Sequence, residues 1–262
     1  MSLLTGLLGN IWADLIASLI LLMLGILVAK IPKSITKSKA KKFFGKDILG
    51  DNFKVVQGYY SQLDADEPLN NKNQPRCKKH FHDGKIIKLR GPKDFTGLSD
   101  IRAVAYIYQE LSKHRKELID LITDKEAYKN LNNTYITIGG PMSNELTRYA
   151  LSDKNNRFID FTIPEDLSKM TNEFTVKGEV KSYLKTKEND YAIILKIKNS
   201  RSENHFFFIC AGLGGSGTAA SAWYLAEKWK SLYKRFHNKE FIVLLRVSPD
   251  SDTSGIEEFS QY

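Results

Sequence analysis

Two short stretches of the sequence each join a strand-like apolar run to a helix-like segment through a cluster of glycines. In the first, TYITI leads into GGPMSNELTR, and Gly139 and Gly140 directly follow the apolar run. In the second, HFFFICA leads into GLGGSGT, and Gly212, Gly214 and Gly217 have the G-x-G-x-x-G spacing. A buried strand that turns through glycines into a helix is the basic unit of α/β folds. The two junctions therefore restrict the chain to this fold class.

Hydrophobic periodicity predicts the other elements. The strand-like runs are residues 53–59, 134–138, 158–161, 191–197, 205–211 and 241–247. The helix-like segments are residues 99–122, with Ser99 as the N-cap, 144–151 and 218–236. We expect a Rossmann-like, mostly parallel sheet with flanking helices, in which 191–197 and 205–211 form an antiparallel insertion or edge hairpin and 241–247 is the last strand. A polar excursion follows the first strand, with a short hairpin around residues 85–89.

An apolar run near the N-terminus predicts a membrane anchor. Residues 11–29 contain one charged residue, Asp14, and a helix of this length measures about 28 Å, close to the hydrocarbon thickness of a bilayer. No Lys or Arg precedes residue 30, whereas seven lysines lie within residues 30–46. The positive-inside rule then predicts a single-pass helix with its N-terminus outside and its C-terminal domain in the cytoplasm.

Two alternatives to the anchor fit the sequence less well. A cleaved signal peptide normally has basic residues before its apolar run and a small-x-small cleavage site, and this segment has neither. A buried helix of a soluble domain is rarely apolar on every face over such a length. We therefore expect a transmembrane helix over residues 1–31, a basic juxtamembrane linker over 32–46 and a cytosolic ligand-binding domain over 47–262. Asp14 either faces other helices or reaches the outer interface.

The net charge of +9 comes largely from the lysines of the linker. Lysines beside a membrane span commonly rest on anionic lipid headgroups, so the lipid bilayer is their expected partner. The rest of the chain is close to neutral. We therefore expect no direct DNA or RNA binding.

Both glycine junctions are suited to a phosphate group. Glycine permits close approach of the backbone to a ligand, and a helix N-terminus offers free N–H groups and a partial positive charge. Ser143, Asn144, Ser216 and Thr218 could add hydrogen bonds, and Arg148 could pair with a phosphate. Because parallel strands end at one edge of a sheet, we expect the two junctions to line one crevice. Alternatively, the glycines only form tight turns and allow close packing of helix on strand.

The sequence disfavours a dehydrogenase. A dinucleotide-binding motif expects an acid about 20 residues further on to hold the ribose. Here the first acid after the next predicted strand is Asp250, 33 residues past Gly217. An N-glycosidic hydrolase or transferase remains the alternative, with Glu145 or Asp100 as the carboxylate that stabilises an oxocarbenium-like transition state. Either acid more often occupies an ordinary position in the first turn of a helix, where it favours the helix dipole.

Neither a bound metal nor a cofactor is predicted. Cys77, His80 and His82 are spaced like metal ligands, but no second cluster accompanies them. No Walker lysine follows the glycines, and the sequence lacks a nucleophile elbow and a zinc-protease helix. We therefore expect a ligand-binding protein without catalytic residues.

Several motifs together resemble a known family. FFG at 43–45, the strand near 53–59, GGPMSN at 139–144 and GLGGSGT at 212–218 are similar in order to the Rossmann-like nucleotide-sensor domains of the SLOG type. The resemblance covers roughly residues 43–250 and includes the Sir2/TIR-associated branch found in bacterial antiphage systems. It implies a pocket for a nucleotide second messenger, such as a cyclic oligonucleotide or an ADP-ribose derivative. Binding would drive homo-oligomerisation and disruption of the bacterial inner membrane, as in CBASS effectors.

The resemblance also implies which residues bind the ligand. Carried over by motif, these are Gly139, Gly140, Pro141, Ser143, Asn144, Gly212, Gly214, Gly215, Ser216, Gly217 and Thr218. Arg148 is added from its spacing alone. The chain departs from relatives with two or more membrane helices in having one predicted span, so membrane disruption would require self-association.

Overall fold

The computed structural model of the chain describes residues 35–58, 60–61, 80–82, 85–87, 94–95, 97–115, 117–160, 173–179, 181–202 and 204–262. The chain divides into two compact units, Met1–Ala40 and Lys41–Tyr262. In the first unit, residues 35–40 are described, and they are helical. The second unit holds the strands and most of the helices.

The predicted membrane span at residues 11–29, with Asp14, lies outside the described residues. Within the described part of the chain, no helix is both long enough and apolar enough to cross a bilayer. The anchor and its orientation therefore stay predictions.

Helices alternate with strands along the described part of the chain. The helical segments are α1 (residues 35–44), a 3₁₀ turn (Lys46–Leu49), α2 (Leu98–Leu111), α3 (Asp124–Tyr128), α4 (Glu145–Leu151) and α5 (Gly215–Phe236). The strands are β1 (Phe53–Gln57), β2 (Tyr60–Ser61), β3 (His80–His82), β4 (Lys85–Ile87), β5 (Asp94–Phe95), β6 (Asp120–Thr123), β7 (Thr134–Ile138), β8 (Ile159–Asp160), β9 (Glu173–Val176), β10 (Ser182–Leu184), β11 (Asp190–Lys198), β12 (Phe206–Gly212), β13 (Phe241–Val247) and β14 (Ile256–Gln261).

Seven of these strands form one sheet in the order β14-β13-β11-β12-β7-β1-β6. β6, β1, β7 and β12 pair in parallel, whereas β11 is antiparallel to both of its neighbours and β14 is antiparallel to β13. Five strands therefore run in one direction and two in the other. The expected α/β class, with a mostly parallel sheet and flanking helices, is confirmed.

The antiparallel hairpin occupies an unexpected place. The predicted pair forms β11 and β12, but it lies in the middle of the sheet rather than at an edge or in an insertion. The reason is that β11 also pairs with β13 over seven residues, so that β13 and β14 extend the sheet beyond it. The run at 241–247 is therefore β13, and β14 is the last strand. The small hairpin predicted around residues 85–89 corresponds to β3 and β4.

The helix predicted over residues 99–122 is wrong in its second half. Helix α2 begins after Gly97, which is the N-cap in place of Ser99, and ends at Leu111. Leu121 and Ile122 belong to the edge strand β6 instead, which pairs with β1, and Leu118 and Ile119 lie directly before it. Leu118 is 84% exposed while Ile119 is buried, so neighbouring side chains face opposite environments as they do in extended chain.

Both faces of the sheet are covered. On one face, side chains such as Leu195 and Phe207 belong to a core cluster with residues of α3, α4 and the small sheet β8–β10. On the other face, Phe43 and Phe44 pack against Trp229 of α5, with ring centroids 6.1 and 5.7 Å apart. Because successive residues of a strand point to opposite faces, the nearly continuous apolar runs of β11 to β13 supply both cores.

A lysine lies within the second of these cores. The side chain of Lys196 on β11 is fully buried, and its ammonium donates to the carbonyl of Phe43 at 2.7 Å and to Oδ1 of Asn238 at 3.0 Å. The ammonium also lies 4.5 Å from the ring centroid of Phe206. Burial lowers the pKa of Lys196 to about 7, although the charge of Glu240 opposes the shift. The amine thus ties the last turn of α1 to the sheet.

Replacement of Lys196 by Met should change how stability depends on pH. As the pH falls from 10.5 towards 7, the unfolded chain takes up a proton at this amine before the folded chain does, which favours unfolding. Between pH 9 and 7.5, the wild type should lose on the order of 2 kcal/mol of unfolding free energy relative to Lys196→Met. Chemical denaturation at both pH values measures this difference.

The exposed Lys198 on the same strand offers a matched control. Lys198→Met should keep the pH dependence of the wild type. Equal pH dependence in the wild type and in Lys196→Met would contradict a lowered pKa at Lys196.

Candidate functional site

The structure brings the two glycine turns together. β7 and β12 are parallel neighbours, and the N–H of Gly139 donates to the carbonyl of Cys210 at 3.0 Å. A Cβ atom on Gly140 would lie 3.4 Å from the carbonyl oxygen of Gly212. Both turns therefore lie side by side at the carboxyl edge of the sheet, the position at which α/β domains bind ligands.

Asn144 is turned into the protein at the first junction. Its side chain is fully buried, and Oδ1 accepts from the N–H of Thr147 at 3.0 Å as the N-cap of α4. The amide Nδ2 donates to the carbonyls of Ile138 at 2.9 Å and Val56 at 3.3 Å. Asn144 therefore joins β1, β7 and α4, and its hydrogen-bonding groups are occupied within the protein.

The rest of the first turn is also held by internal bonds. Gly139 adopts φ of 105°, which favours glycine, and the hydroxyl of Ser143 donates to the carbonyl of Gly140 at 3.1 Å. Arg148 folds back along α4, and its Nε donates to the carbonyl of Pro141 at 3.0 Å. One edge of the predicted phosphate-pairing guanidinium is thus used to close the turn.

A carboxylate already occupies the amino-terminal end of α4. Oδ2 of Asp124, at the start of α3, accepts from the N–H of Glu145 at 2.8 Å. Asp124 is 1% exposed, so this carboxylate is held inside the domain. An anion at a helix N-terminus is favourable, and here the protein supplies that anion itself. The first junction is therefore less suited to phosphate than its sequence indicates.

The second turn depends on close backbone contact. A Cβ on Gly212 would lie 2.3 Å from the amide nitrogen of Thr218, and one on Gly217 would lie 2.8 Å from the carbonyl oxygen of Tyr191. Thr218 is buried, and its Oγ1 accepts from the N–H of Gly212 at 3.2 Å. Gly212, Gly217 and Thr218 therefore hold helix α5 against strands β11 and β12.

A second internal carboxylate lies at the start of α5. Oδ2 of Asp190 accepts from the N–H of Gly217 at 2.8 Å, and Oδ1 accepts from the N–H of Tyr191 at 2.8 Å. The ammonium of Lys185 lies close to Gly214 and to Asp190. A Cβ added to Gly214 would lie 2.2 Å from Nζ of Lys185 and 2.6 Å from Oδ2 of Asp190. Lys185 itself is exposed.

Two N–H groups at this end of α5 remain available. The N-cap Gly214 has no side chain to cap the helix, and among the described residues no acceptor faces the N–H of Gly215 or Ser216. The hydroxyl of Ser216 donates to the carbonyl of Pro249 in the loop after β13. Gly215 is exposed. The first turn of α5 is therefore the part of the crevice best prepared for an anion.

Helix α2 begins beside the same place. A Cβ on Gly215 would lie 2.7 Å from Oγ of Ser99. Asp100, in the first turn of α2, is 5% exposed, and burial raises its pKa to about 6. Among the described residues, no group donates to its carboxyl or forms an ion pair with it, and its oxygens are not fully enclosed. Glu145, the other candidate carboxylate, is only partly buried.

Sequence reasoning missed the charged residues that complete the crevice. These are Asp124, Asp190 and Lys185. Each lies far along the chain from the glycine turn that it approaches, and none belongs to a motif. The sequence offered one signal, an acid at the start of a strand, since Asp190 begins β11. That signal does not show which backbone N–H group the acid approaches.

Two observations bear on metal and thiol chemistry. The described residues contain no group of three or more His, Cys, Asp and Glu side chains that could hold a metal ion. Cys77 and the side chains of His80 and His82 lie outside the described residues. Cys210 is a free, buried thiol on β12, and burial raises its pKa, which disfavours the reactive thiolate.

No protein-family model matches the chain, and no curated protein is significantly similar to it in sequence.

Substitutions of Asn144 should show that its role is structural. Asn144→Ala removes a buried N-cap and two further hydrogen bonds, and should cost about 2–4 kcal/mol of unfolding free energy. Asn144→Asp keeps the N-cap acceptor but places a second oxygen against the carbonyls of Ile138 and Val56. It should therefore destabilise at least as much as Asn144→Ala, although Asp is a good N-cap elsewhere. Denaturant titration measures both.

Ser143→Ala provides the control for the same turn. It removes one hydroxyl that is only partly buried, and should cost no more than about 1 kcal/mol. An Asn144→Asp variant as stable as the wild type would contradict the assigned amide orientation.

Proposed function

We propose that the chain is a non-catalytic nucleotide-binding sensor with a Rossmann-like domain, tethered to a membrane by its N-terminal segment. The observation that carries the proposal is the meeting of the two glycine turns at the carboxyl edge of β7 and β12. An exposed helix N-terminus with two available N–H groups lies at that edge. Such an arrangement suits a phosphate-bearing ligand.

The phosphate is placed at α5 in this proposal. Asp124 already supplies an anion to α4, whereas Gly215 and Ser216 at α5 face no described acceptor. Lys185 beside Gly214 supplies a positive charge next to these N–H groups. Asp190 occupies the N–H of Gly217 one position further on, and so limits how deeply a phosphate enters.

The proposed output follows the resemblance to SLOG-type sensors. Ligand binding would favour homo-oligomerisation, and the clustered N-terminal segments would perturb a bacterial inner membrane. The apolar run at residues 11–29 and its lysine-rich flank support the membrane part of this proposal. A cyclic oligonucleotide and an ADP-ribose derivative both carry the required phosphate.

Thermal unfolding of the full chain tests the proposal. AMP, ADP-ribose, NAD and cyclic dinucleotides are each added to saturation, and at least one should raise Tm, because a ligand that binds the folded state stabilises it. Gly215→Val should abolish the shift, since a Cβ there meets the side chain of Ser99 at 2.7 Å from Oγ.

Gly50→Ala is the matched control. This glycine has φ of −121°, and the nearest atom to an added Cβ is 3.8 Å away, so the variant should bind as the wild type does. A folded wild-type chain that responds to none of the compounds would falsify the proposed function.

Asp100 favours a second candidate, an N-glycosidic hydrolase or transferase. A buried carboxyl whose pKa is raised to about 6 resembles the acids that enzymes use near neutral pH. The wild type should then release base from NAD or a nucleoside, and Asp100→Asn should lower the rate at least 100-fold, measured by chromatography of the free base. Full activity in both Asp100→Asn and Glu145→Gln would remove this carboxylate assignment.

A further inference from the structure

Asp100 is an unusual residue for its position. An acid in the first turn of a helix commonly lies in water or caps a backbone N–H. Asp100 is instead 95% buried, and no described side chain or backbone N–H donates to it. The carboxyl oxygens are not fully enclosed, but the low exposure of the residue raises its pKa and so disfavours the ionised carboxyl in the folded chain.

The carboxyl lies at the start of α2. Its Oδ2 lies 3.7 Å from the position of a Cβ on Gly97, the N-cap of α2, so the side chain turns back along the helix towards its start. Oγ of Ser99 lies 3.5 Å from that same position. It also lies 2.7 Å from the position that a Cβ added to Gly215 would take. Ser99 therefore lies against the first turn of α5, and Asp100 is its neighbour in the chain.

The groups at the start of α5 and at the start of α2 differ in the chemistry that they accept. At one end, the N–H groups of Gly215 and Ser216, with Lys185 beside them, suit an anion. At the other end, the carboxyl of Asp100 suits a neutral hydrogen-bond donor, since an ionised carboxyl is an acceptor only. A sugar hydroxyl next to a phosphate has both properties.

We propose that Asp100 and the first turn of α5 together bind a ribosyl phosphate, with the phosphate on Gly215 and Ser216 and a ribose hydroxyl donating to Asp100. This inference rests on the proposed function and narrows its ligand to compounds that carry a phosphorylated ribose. Ser99 and Lys185 flank the phosphate. A carboxylate is the usual partner of ribose hydroxyls in dinucleotide-binding domains, where it follows a different strand.

The inference predicts opposite effects of one substitution on stability and on binding. The raised pKa of Asp100 means that its contribution to stability is complete below pH 3.8 and is lost as the pH rises through about 6. At pH 7.5 the unpaired carboxylate therefore opposes folding. Asp100→Asn should raise Tm at pH 7.5 by roughly 2–6 °C and leave it nearly unchanged at pH 4. The same variant removes the acceptor for the ribose hydroxyl.

Binding is measured by calorimetry with AMP, ADP-ribose and inorganic phosphate on the full chain. Asp100→Asn should weaken the nucleotide that binds the wild type best by at least tenfold. Its affinity for inorganic phosphate, which lacks the hydroxyl, should change less than twofold. Lys185→Gln should weaken phosphate and nucleotide alike, since it acts at the anion end.

Asp252 provides the matched carboxyl. It lies at the same edge of the sheet but is paired, with Arg102 Nε at 2.8 Å and the hydroxyl of Tyr106 at 3.0 Å. Asp252→Asn should lower Tm or leave it unchanged, in contrast to Asp100→Asn. A fall in Tm for Asp100→Asn at pH 7.5 would show that Asp100 is structural and would overturn the inference.

The two proposals fail in different ways. If the wild type binds a nucleotide and Asp100→Asn binds it equally well, the role of Asp100 is refuted while the proposed function stands. If the wild type binds no nucleotide, both are refuted. If Asp100→Asn loses nucleotide binding and phosphate binding together, the inference is also contradicted. Asp100 would then affect the anion site and not only the contact with the ribose hydroxyl.

Discussion

The parallel pairing of β7 with β12 is the constraint on which the rest of the domain depends. It places Gly139 beside Cys210 and Gly140 beside Gly212, so the two glycine turns leave the sheet at one edge. Helices α4 and α5 must then begin together. Since α2 and α5 pack against each other, the start of α2 reaches the same edge, with Ser99 against Gly215. One strand pairing thereby gathers three helix N-termini that are distant in sequence.

Helix N-termini gathered in this way concentrate partial positive charge, which the protein partly neutralises itself. Asp124 accepts from the first N–H of α4, and Asp190 accepts from the third N–H of α5. Both carboxylates are buried, so a ligand does not displace them without exposing backbone donors. The backbone N–H groups left for a ligand are therefore fewer than the two glycine motifs indicate, and they lie at the start of α5.

The local sequence pattern was sufficient to predict the strands that lie deepest in the domain. The runs of β7 and β13 were predicted with their observed bounds, because a short apolar run closed by Gly or a polar turn has few alternatives. The end of α2 and the strands β6 and β14 were not predicted. Both strands are sheet edges, and none of their residues is fully buried, so neither shows the apolar run that identifies the inner strands in the sequence. The turns of the candidate site were found from their glycines, but Asp190 and Lys185 reach them through tertiary structure alone.

Helix α5 runs between the regions of two buried ionisable residues, Asp100 and Lys196, whose burial the local sequence pattern does not predict. Its first turn lies beside Ser99, which precedes Asp100 in the chain, and the turn after its last residue supplies Asn238 to Lys196. Near its carboxyl end, Trp229 packs on Phe43 and Phe44 of α1. A helix of 22 residues is about 33 Å long. Because it behaves as one rigid element, a shift at one end also displaces the other end. The position of Gly215 at the crevice and the packing of residues 43 and 44 are therefore set by the same element, and a substitution that shifts α5 at one end acts on both.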